Sequence, residues 1–111
     1  YDVNPTEGYH PTWNDGIRPY TSPMGSFSPN GYGLYNMSGN VWEWCNDWYD
    51  EDYYDVSPYD NPTGPGSGIY RVLRGGSWDD DPYYCRVARR YYNGPANRGI
   101  SVGFRLSLDL N

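Results

Sequence analysis

The sequence contains no lysine, a single histidine, two cysteines and no long apolar run. All eight cationic side chains are arginines, fourteen side chains are acidic, and the formal net charge is −6. Nucleic-acid binding needs a cluster of positive charge, so we expect none in this acidic chain. No stretch approaches the ~20 apolar residues of a membrane-spanning helix, and no signal peptide is recognisable. We expect no membrane insertion, and the sequence does not identify a compartment.

The few histidines and cysteines restrict catalysis and metal binding. His10 is the only histidine, so a Ser-His-Asp or Cys-His arrangement would depend on a residue in an irregular N-terminal segment. One histidine and two distant cysteines do not form a convincing zinc site. Cys45 and Cys85 can form one disulfide or remain thiols, because no other feature fixes the redox environment.

Aromatic residues are abundant. Five tryptophans and fourteen tyrosines bring the aromatic share to 19%. The mean hydropathy of −0.92 would suit a disordered chain, but disordered chains are poor in aromatic residues. A length of 111 residues is sufficient for one small domain with a modest core. Tyrosine also suits binding surfaces, since it offers a large contact area at low cost in conformational entropy.

The pattern along the chain predicts short strands joined by long loops. Residues 1–31 are rich in glycine and proline, which predicts loops held by aromatic anchors such as Trp13, Tyr20 and Phe27. Alternating aromatic residues over 40–49 predict a strand. Further strands are expected over 70–74, 86–90 and 102–108, with a short helical turn near 50–56. The residues expected to be structural are Trp42, Trp44, Arg74, Trp78 and Phe104.

Four segments together resemble one known family: PNGYGLYNMSGNVWEW at 29–44, RVLRGGSW at 71–78, CRVARR at 85–90 and GFRL at 103–106. Their order and spacing resemble the formylglycine-generating-enzyme, or sulfatase-modifying-factor, family. The resemblance implies an α+β, C-type-lectin-like fold with small antiparallel sheets, long ordered loops and little helix. Residues 1–111 would form a single domain corresponding to the C-terminal part of the family domain. The N-terminal part would be absent or outside this chain.

The resemblance also implies structural Ca²⁺. The ligands would be the Asn36 side chain, the Gly39 and Val41 carbonyls and the Glu43 carboxylate. Oxygen ligands of this kind suit Ca²⁺. Alternatively, Glu43 pairs with an arginine such as Arg74. A looser correspondence implies a second calcium site with Asp15, the Ile17 carbonyl and Asn4 as candidate ligands.

Copper is not implied by the residues present. Enzymes of this family bind copper through two cysteines shortly after the RGGS-like motif, where this chain reads WDDDPYY at 78–84. Cys85 aligns better with the following CRVARR segment, and aspartate does not replace a soft thiolate ligand. Ser77 and Trp42 match residues of the family's active-site pocket and are expected to be scaffold here. Oxidase activity is therefore the alternative function.

Residues 71–106 resemble the variable region of a diversity-generating-retroelement protein, in which a fixed frame carries diversified positions. Apart from Arg90, which belongs to the frame, each predicted contact can be encoded by changing only adenines of an AAC codon. Tyrosine and arginine dominate binding hot spots, while small polar residues adapt to the ligand. The expected partner is a protein or other macromolecule, and the alternative is an ordinary surface of a non-enzymatic family member. The predicted ligand-binding residues are Asp79, Asp80, Asp81, Tyr83, Tyr84, Arg90, Tyr91, Tyr92, Asn93, Asn97, Gly99 and Ser101.

Overall fold

The computed structural model describes residues 10–107. Residues 10–41 consist of turns and loops, and the regular elements follow. In chain order they are β1 (Trp42–Trp48), α1 (Tyr53–Val56), β2 (Arg71–Arg74), a 3₁₀ turn (Pro82–Cys85), β3 (Tyr91–Asn93) and β4 (Val102–Gly103). The helix content is low, as the glycine and proline spacing predicts. No helix in the described part of the chain has the length and apolar character needed to cross a membrane.

The strands form one four-stranded sheet in the order β3-β2-β1-β4. β2 pairs antiparallel with both of its neighbours, and Trp44 lies opposite Leu73 across the β1–β2 pair. β4 pairs parallel with β1, which places Val102 opposite Trp42. The sheet is therefore mixed, whereas the resemblance had implied small antiparallel sheets.

The strands predicted over 40–49 and 70–74 and the helical turn near 50–56 are present. The strand predicted over 86–90 is wrong, because those residues turn and the Arg89 amide donates to the Arg86 carbonyl at 2.9 Å. The strand begins at Tyr91, directly after the predicted range, where Tyr91 and Tyr92 have the aromatic character that favours strands. β4 covers only Val102–Gly103 of the predicted 102–108, and residue 108 lies outside the described residues.

The core is small and centred on β2. Val72 and Leu73 are almost fully buried, and Trp42 and Trp78 are exposed by less than a tenth. Full burial of side chains of this size contributes about 1.5–3 kcal/mol each. Phe104 is not part of this core, since it is 76% exposed. Its apolar character predicted burial, but it lies beyond the end of β4, outside the sheet pairing.

Asn40 and Tyr20 hold the N-terminal loops against the sheet. The Ser22 amide donates to Asn40 Oδ1 at 2.8 Å, and Asn40 Nδ2 donates back to the Ser22 carbonyl at 3.2 Å. Asn40 has φ 65°, in the left-handed region that asparagine tolerates better than most residues. The Tyr20 ring meets Trp78 edge-on at 5.4 Å between centroids. Tyr20 is thus an anchor as predicted, whereas Phe27 is 45% exposed.

Candidate binding face and cation site

Four of the predicted contact residues form a continuous cluster of rings. This tyrosine cluster consists of Tyr83, Tyr84, Tyr91 and Tyr92. Ring centroids lie 5.5 Å apart for Tyr83–Tyr84, 6.1 Å for Tyr84–Tyr91 and 5.5 Å for Tyr91–Tyr92. The first pair comes from the 3₁₀ turn and the second from β3, so two segments that flank residues 86–90 converge.

The inner side of the tyrosine cluster rests on the core. Tyr91 stacks on Trp42 at 5.2 Å, and Tyr84 meets Trp42 edge-on at 6.0 Å. The outer side is open, because Tyr83 is 49% exposed, Tyr91 39% and Tyr92 41%. Aromatic pairs of this geometry add about 0.5–1.5 kcal/mol beyond the burial of area. The rings are therefore anchored and yet accessible.

Two tyrosines that the sequence reasoning missed extend the cluster. Tyr49 lies 4.4 Å and Tyr70 5.0 Å from the Tyr92 ring. The Tyr49 amide donates to the Tyr70 carbonyl at 2.8 Å, which continues the β1–β2 ladder by one pair. The antiparallel pairing of the two predicted strands was the signal that could have placed both beside β3. Burial is the main cause that raises the pKa of the Tyr49 hydroxyl.

Several predicted contact residues have local structural partners. The Asp80 carboxylate accepts from the Ser77 amide and hydroxyl, and Asp81 Oδ1 accepts from the Tyr83 amide at 2.9 Å as the cap of the 3₁₀ turn. Asn93 Oδ1 accepts from the Gly94 amide at 2.9 Å and from Asn97 Nδ2. These side chains therefore shape the turns that present the tyrosines.

The remaining predicted residues lie in the loops on either side of β3 and β4. Asp79 and Gly99 are exposed, and the Ser101 carbonyl accepts from the Trp42 amide at 2.8 Å. The two loops approach each other at Trp78, whose indole N–H donates to the Ile100 carbonyl at 3.4 Å. Arg90 is directed toward another group of tyrosines and lies 4.4 Å from the Tyr54 ring centroid.

The predicted calcium ligands lie in the turn before β1 and on β1 itself. Asn36 and Gly39 have φ 52° and 77°, which fold the backbone back on itself. Asn36 Oδ1 is buried and has no hydrogen-bond partner. A buried acceptor without a donor is uncommon and calls for an ion, a water or strain. This atom is the feature of the site that fits a bound cation.

Glu43, the carboxylate among the predicted ligands of the first calcium site, is paired with Arg105. Arg105 Nε donates to Glu43 Oε2 at 2.5 Å, and Arg105 Nη2 donates to Oε1. The same guanidinium donates to the Tyr35 and Asn36 carbonyls at 2.9 and 2.7 Å. The hydrogen bond with Glu43 raises the pKa of Arg105. A carboxylate has about four lone-pair sites, so Glu43 can pair with Arg105 and still ligate a cation.

Arg74 is not the partner of Glu43, although it lies opposite in the β1–β2 register. Its guanidinium donates instead to the Val87 carbonyl, which ties β2 to the turn before β3. At the second predicted calcium site, the Ile17 amide donates to Asp15 Oδ1 at 2.9 Å in a local turn. Asn4, the further candidate there, lies outside the described residues.

A recess of about 610 Å³ lies between the N-terminal loops and the turn after β2. This aromatic recess falls in the usual size range of small-ligand sites. Gly76 permits its shape, since a Cβ there would come within 2.7 Å of Cys85 Sγ and φ is 72°. The lining includes Tyr20, Phe27, Asn36, Ser77, Trp78 and Cys85.

Cys45 and Cys85 are both free thiols. Burial raises the pKa of each thiol. A raised pKa keeps a thiol protonated at neutral pH, whereas soft metals bind the thiolate. Within residues 10–107, no three His, Cys, Asp or Glu side chains converge as a metal-binding group.

Two solved structures resemble this fold. Treponema denticola variable protein 1 superposes with a TM-score of 0.64 at 39% identity, over 76% of this chain and 30% of that protein. PvdO from Pseudomonas aeruginosa superposes with a TM-score of 0.68 at 38% identity, over 76% of this chain and 32% of that protein. The fold is thus that of the C-type-lectin-like α+β proteins, with a small mixed sheet and little helix.

The chain also matches the sulfatase-modifying factor enzyme 1-like domain over residues 3–110. It belongs to this family, as its motifs had suggested. The formylglycine-generating enzyme of Streptomyces coelicolor is 50% identical over 92 residues, which cover 80% of this chain and 29% of that enzyme. The chain therefore spans less than half the length of such relatives.

Proposed function

We propose that this protein binds a macromolecular ligand, most simply another protein, through residues 79–101 displayed on a Ca²⁺-supported scaffold. The observation that carries the proposal is the tyrosine cluster, in which three rings are 39–49% exposed while Tyr91 stacks on the buried Trp42. Exposed aromatic patches mark interaction sites, and rings fixed by packing lose little entropy when a ligand binds.

The structural similarity to Treponema denticola variable protein 1 supports a diversified surface. The shared scaffold separates the residues that hold the fold from those that face outward. The core pair Val72 and Leu73 lies on β2, whose main-chain ladder also fixes β3. Side chains on the outer surface can then change while the backbone pairing is kept.

A library experiment tests this division. In one library, Tyr83, Tyr92 and Asn97 are replaced together by the residue types that adenine changes in AAC allow. In a matched library, Trp42, Val72 and Trp78 are replaced by the same types. We expect most members of the first library, and few of the second, to unfold cooperatively. Equal loss of folding in both libraries would contradict the proposal.

The coding DNA tests the diversification itself. We expect a reverse-transcriptase gene nearby and a near-copy of the segment that encodes residues 71–106. The two copies should differ at adenines of the template and mainly at the codons of residues 79–101. A locus without the near-copy would remove the retroelement from the proposal and leave a fixed binding face.

The calcium part of the proposal is supported by the unpartnered Asn36 Oδ1. Asn36, Glu43 and the carbonyls of Gly39 and Val41 would hold the ion and stiffen the turn before β1. At ~100 times its dissociation constant, Ca²⁺ would add about 2.7 kcal/mol to the free energy of unfolding. We expect the melting temperature of the wild type to fall in EDTA and to recover with Ca²⁺. The melting temperature of Asn36→Ala should not respond to either. The same melting curve with and without Ca²⁺ would exclude this site, while the binding face would stand.

A second candidate function is a sulfatase-modifying oxidase. The aromatic recess favours it, because Ser77 and Cys85 both line that cavity and the formylglycine-generating enzyme of Streptomyces coelicolor is a relative at 50% identity. Incubation with Cu(I), oxygen, a thiol reductant that supplies the other two electrons for oxygen, and a sulfatase-derived cysteine peptide tests it by mass spectrometry. Formylglycine that appears in the wild type and not in Cys85→Ala would favour the oxidase over the binding protein.

A further inference from the structure

A second, smaller recess lies beside the tyrosine cluster and has a different chemistry. Its volume is about 220 Å³. That is below the usual range for a whole small-molecule ligand, so it suits a single functional group. We refer to it as the arginine recess. Its lining includes Tyr49, Glu51, Tyr54, Arg86, Arg89 and Arg90.

The three arginines of this recess lack acidic partners within the described part of the chain. The ion pair found among residues 10–107 joins Arg105 to Glu43 and involves none of them. Glu51 also lines the recess but lies beyond ion-pair distance. The sequence contains fourteen acidic side chains and only eight arginines, so acidic groups outnumber basic ones. Three converging arginines without a carboxylate partner are therefore not explained by internal charge balance.

The guanidinium groups are held by aromatic rings instead. Arg86 lies 4.0 Å from the Tyr83 ring centroid, and its Nε donates to the Tyr83 carbonyl at 3.2 Å. Arg90 lies 4.4 Å from the Tyr54 ring and donates through Nη2 to the Asp50 carbonyl. Stacking uses the face of a guanidinium and leaves its remaining in-plane N–H donors available.

Arg89 lies between the two sites. Its guanidinium carbon is 5.3 Å from the Tyr83 ring, 5.2 Å from Tyr84 and 5.9 Å from Tyr91, while the side chain also lines the arginine recess. Arg89 Nε is buried without an acceptor. The hydrogen-bonding capacity of this side chain is thus not used up by the protein.

We propose that the arginine recess binds an oxyanion, namely a phosphate, sulfate or carboxylate group carried by the protein ligand. Oriented guanidinium groups recognise such anions through charge-assisted and bidentate hydrogen bonds. The net charge of −6 disfavours a polyanionic nucleic acid but permits one anion at a local positive site. The proposal depends on the proposed function only for its biological role, since the recess can be tested without the natural ligand.

The test follows the arginine Nε–Hε NMR signals of the folded protein during titration with inorganic phosphate, sulfate or acetate at constant ionic strength. We expect saturable shifts for Arg86, Arg89 and Arg90. The double variant Arg86→Gln/Arg90→Gln should weaken phosphate binding by about tenfold or more, which corresponds to ~1.4 kcal/mol. Glu51→Gln should strengthen it, because removal of a negative charge from the lining favours an anion.

Arg18→Gln serves as the matched control, since Arg18 is exposed and does not line the recess. Arg90→Lys keeps the charge but loses the planar fork, so weaker binding in this variant indicates geometric recognition. Shifts that do not saturate, or equal weakening in Arg18→Gln, would overturn the proposal. The titration can fail while most members of the library at Tyr83, Tyr92 and Asn97 still unfold cooperatively. That combination would reject anion binding in the arginine recess and leave the proposed binding face standing.

The source of the anion is tested with peptides. An acidic hexapeptide that contains phosphoserine is compared with its unphosphorylated form and with free phosphate. We expect the phosphopeptide to bind more tightly than phosphate, because the neighbouring tyrosine cluster can contact the peptide. Free phosphate that binds as tightly as the phosphopeptide would reject a protein-borne anion in favour of a small soluble one.

Discussion

The centre of the sheet and its β3 edge use aromatic residues in opposite ways. At the centre, Trp42 and Trp78 are exposed by less than a tenth and form the buried core together with Val72 and Leu73. At the edge, the rings of the tyrosine cluster are partly exposed, and they contact one another and neighbouring arginine side chains. Burial at the centre stabilises the fold, whereas partial exposure at the edge leaves contact area for a partner. Trp42 belongs to both regions, because Tyr91 stacks on its ring.

Loss of a central aromatic side chain is expected to have the largest effect. Trp42→Ala removes a buried ring and the surface on which Tyr84 and Tyr91 rest. Truncation of a buried aromatic residue costs about 3–5 kcal/mol of the free energy of unfolding. Urea denaturation followed by fluorescence or circular dichroism measures this loss. A cost of no more than about 0.5 kcal/mol for Trp42→Ala, the usual range for a surface substitution, would contradict the distinction between centre and edge.

The Glu43–Arg105 pair is expected to have an intermediate effect. It joins β1 to the chain after β4, and its side chains are 22% and 36% exposed. Because this exposure weakens the pair, we expect Arg105→Gln to cost about 1–2 kcal/mol. A double-mutant cycle with Glu43→Gln isolates the coupling between the two side chains. Additive losses in the cycle would show that the two residues act separately.

Within the edge, the two ends of the tyrosine cluster should differ. Tyr91→Ala removes the stack on Trp42 and is expected to cost about 1–2 kcal/mol. Tyr83→Ala is expected to change stability by no more than about 0.5 kcal/mol, because Tyr83 is the most exposed of the four. Thermal unfolding of the two variants, each with Phe as the conservative control, makes the comparison. Equal losses in the free energy of unfolding would mean that all four tyrosines stabilise the fold to the same extent.

The smallest effect concerns pH and the two thiols. Burial raises the pKa of Cys45 and of Cys85 in the folded state. The unfolded state therefore releases its protons first, and the free energy of unfolding should fall as pH rises above about 8.5. Comparison of wild type with Cys45→Ala/Cys85→Ala between about pH 7.5 and 9.5 isolates this contribution. An identical pH dependence in the double variant would assign the loss to other groups.

Local patterns predicted what depends on neighbours in sequence. Alternating aromatic residues located β1, and the Gly75-Gly76 pair ended β2, where φ values of 94° and 72° require glycine. β3 was placed too early, because the capping of the 3₁₀ turn by Asp81 and the turn at Arg86–Arg89 delay the strand until Tyr91. Turn chemistry thus overrode strand propensity in residues 86–90.

Long-range pairing was harder to predict. Glu43 and Arg105 are separated by 62 positions, and the sheet register alone would have paired Glu43 with Arg74. The convergence of Arg86, Arg89 and Arg90 with Tyr49 and Tyr54 also depends on how the loop after β1 folds back. Periodicity carries no information on such contacts, so the tyrosine cluster was anticipated but the arginine recess was not.

The position of β3 at the sheet edge has a consequence for how this protein can evolve. Its place is fixed by main-chain pairing with β2, in which Val72 lies opposite Tyr92 and Leu73 opposite Tyr91. Every amino acid except proline supplies that backbone donor and acceptor. New side chains can therefore be tried at Tyr92 without loss of the strand that presents them. The main-chain pairing therefore separates the stability of the strand from the identity of its outward-facing side chain, so substitutions at Tyr92 are expected to leave β3 in place.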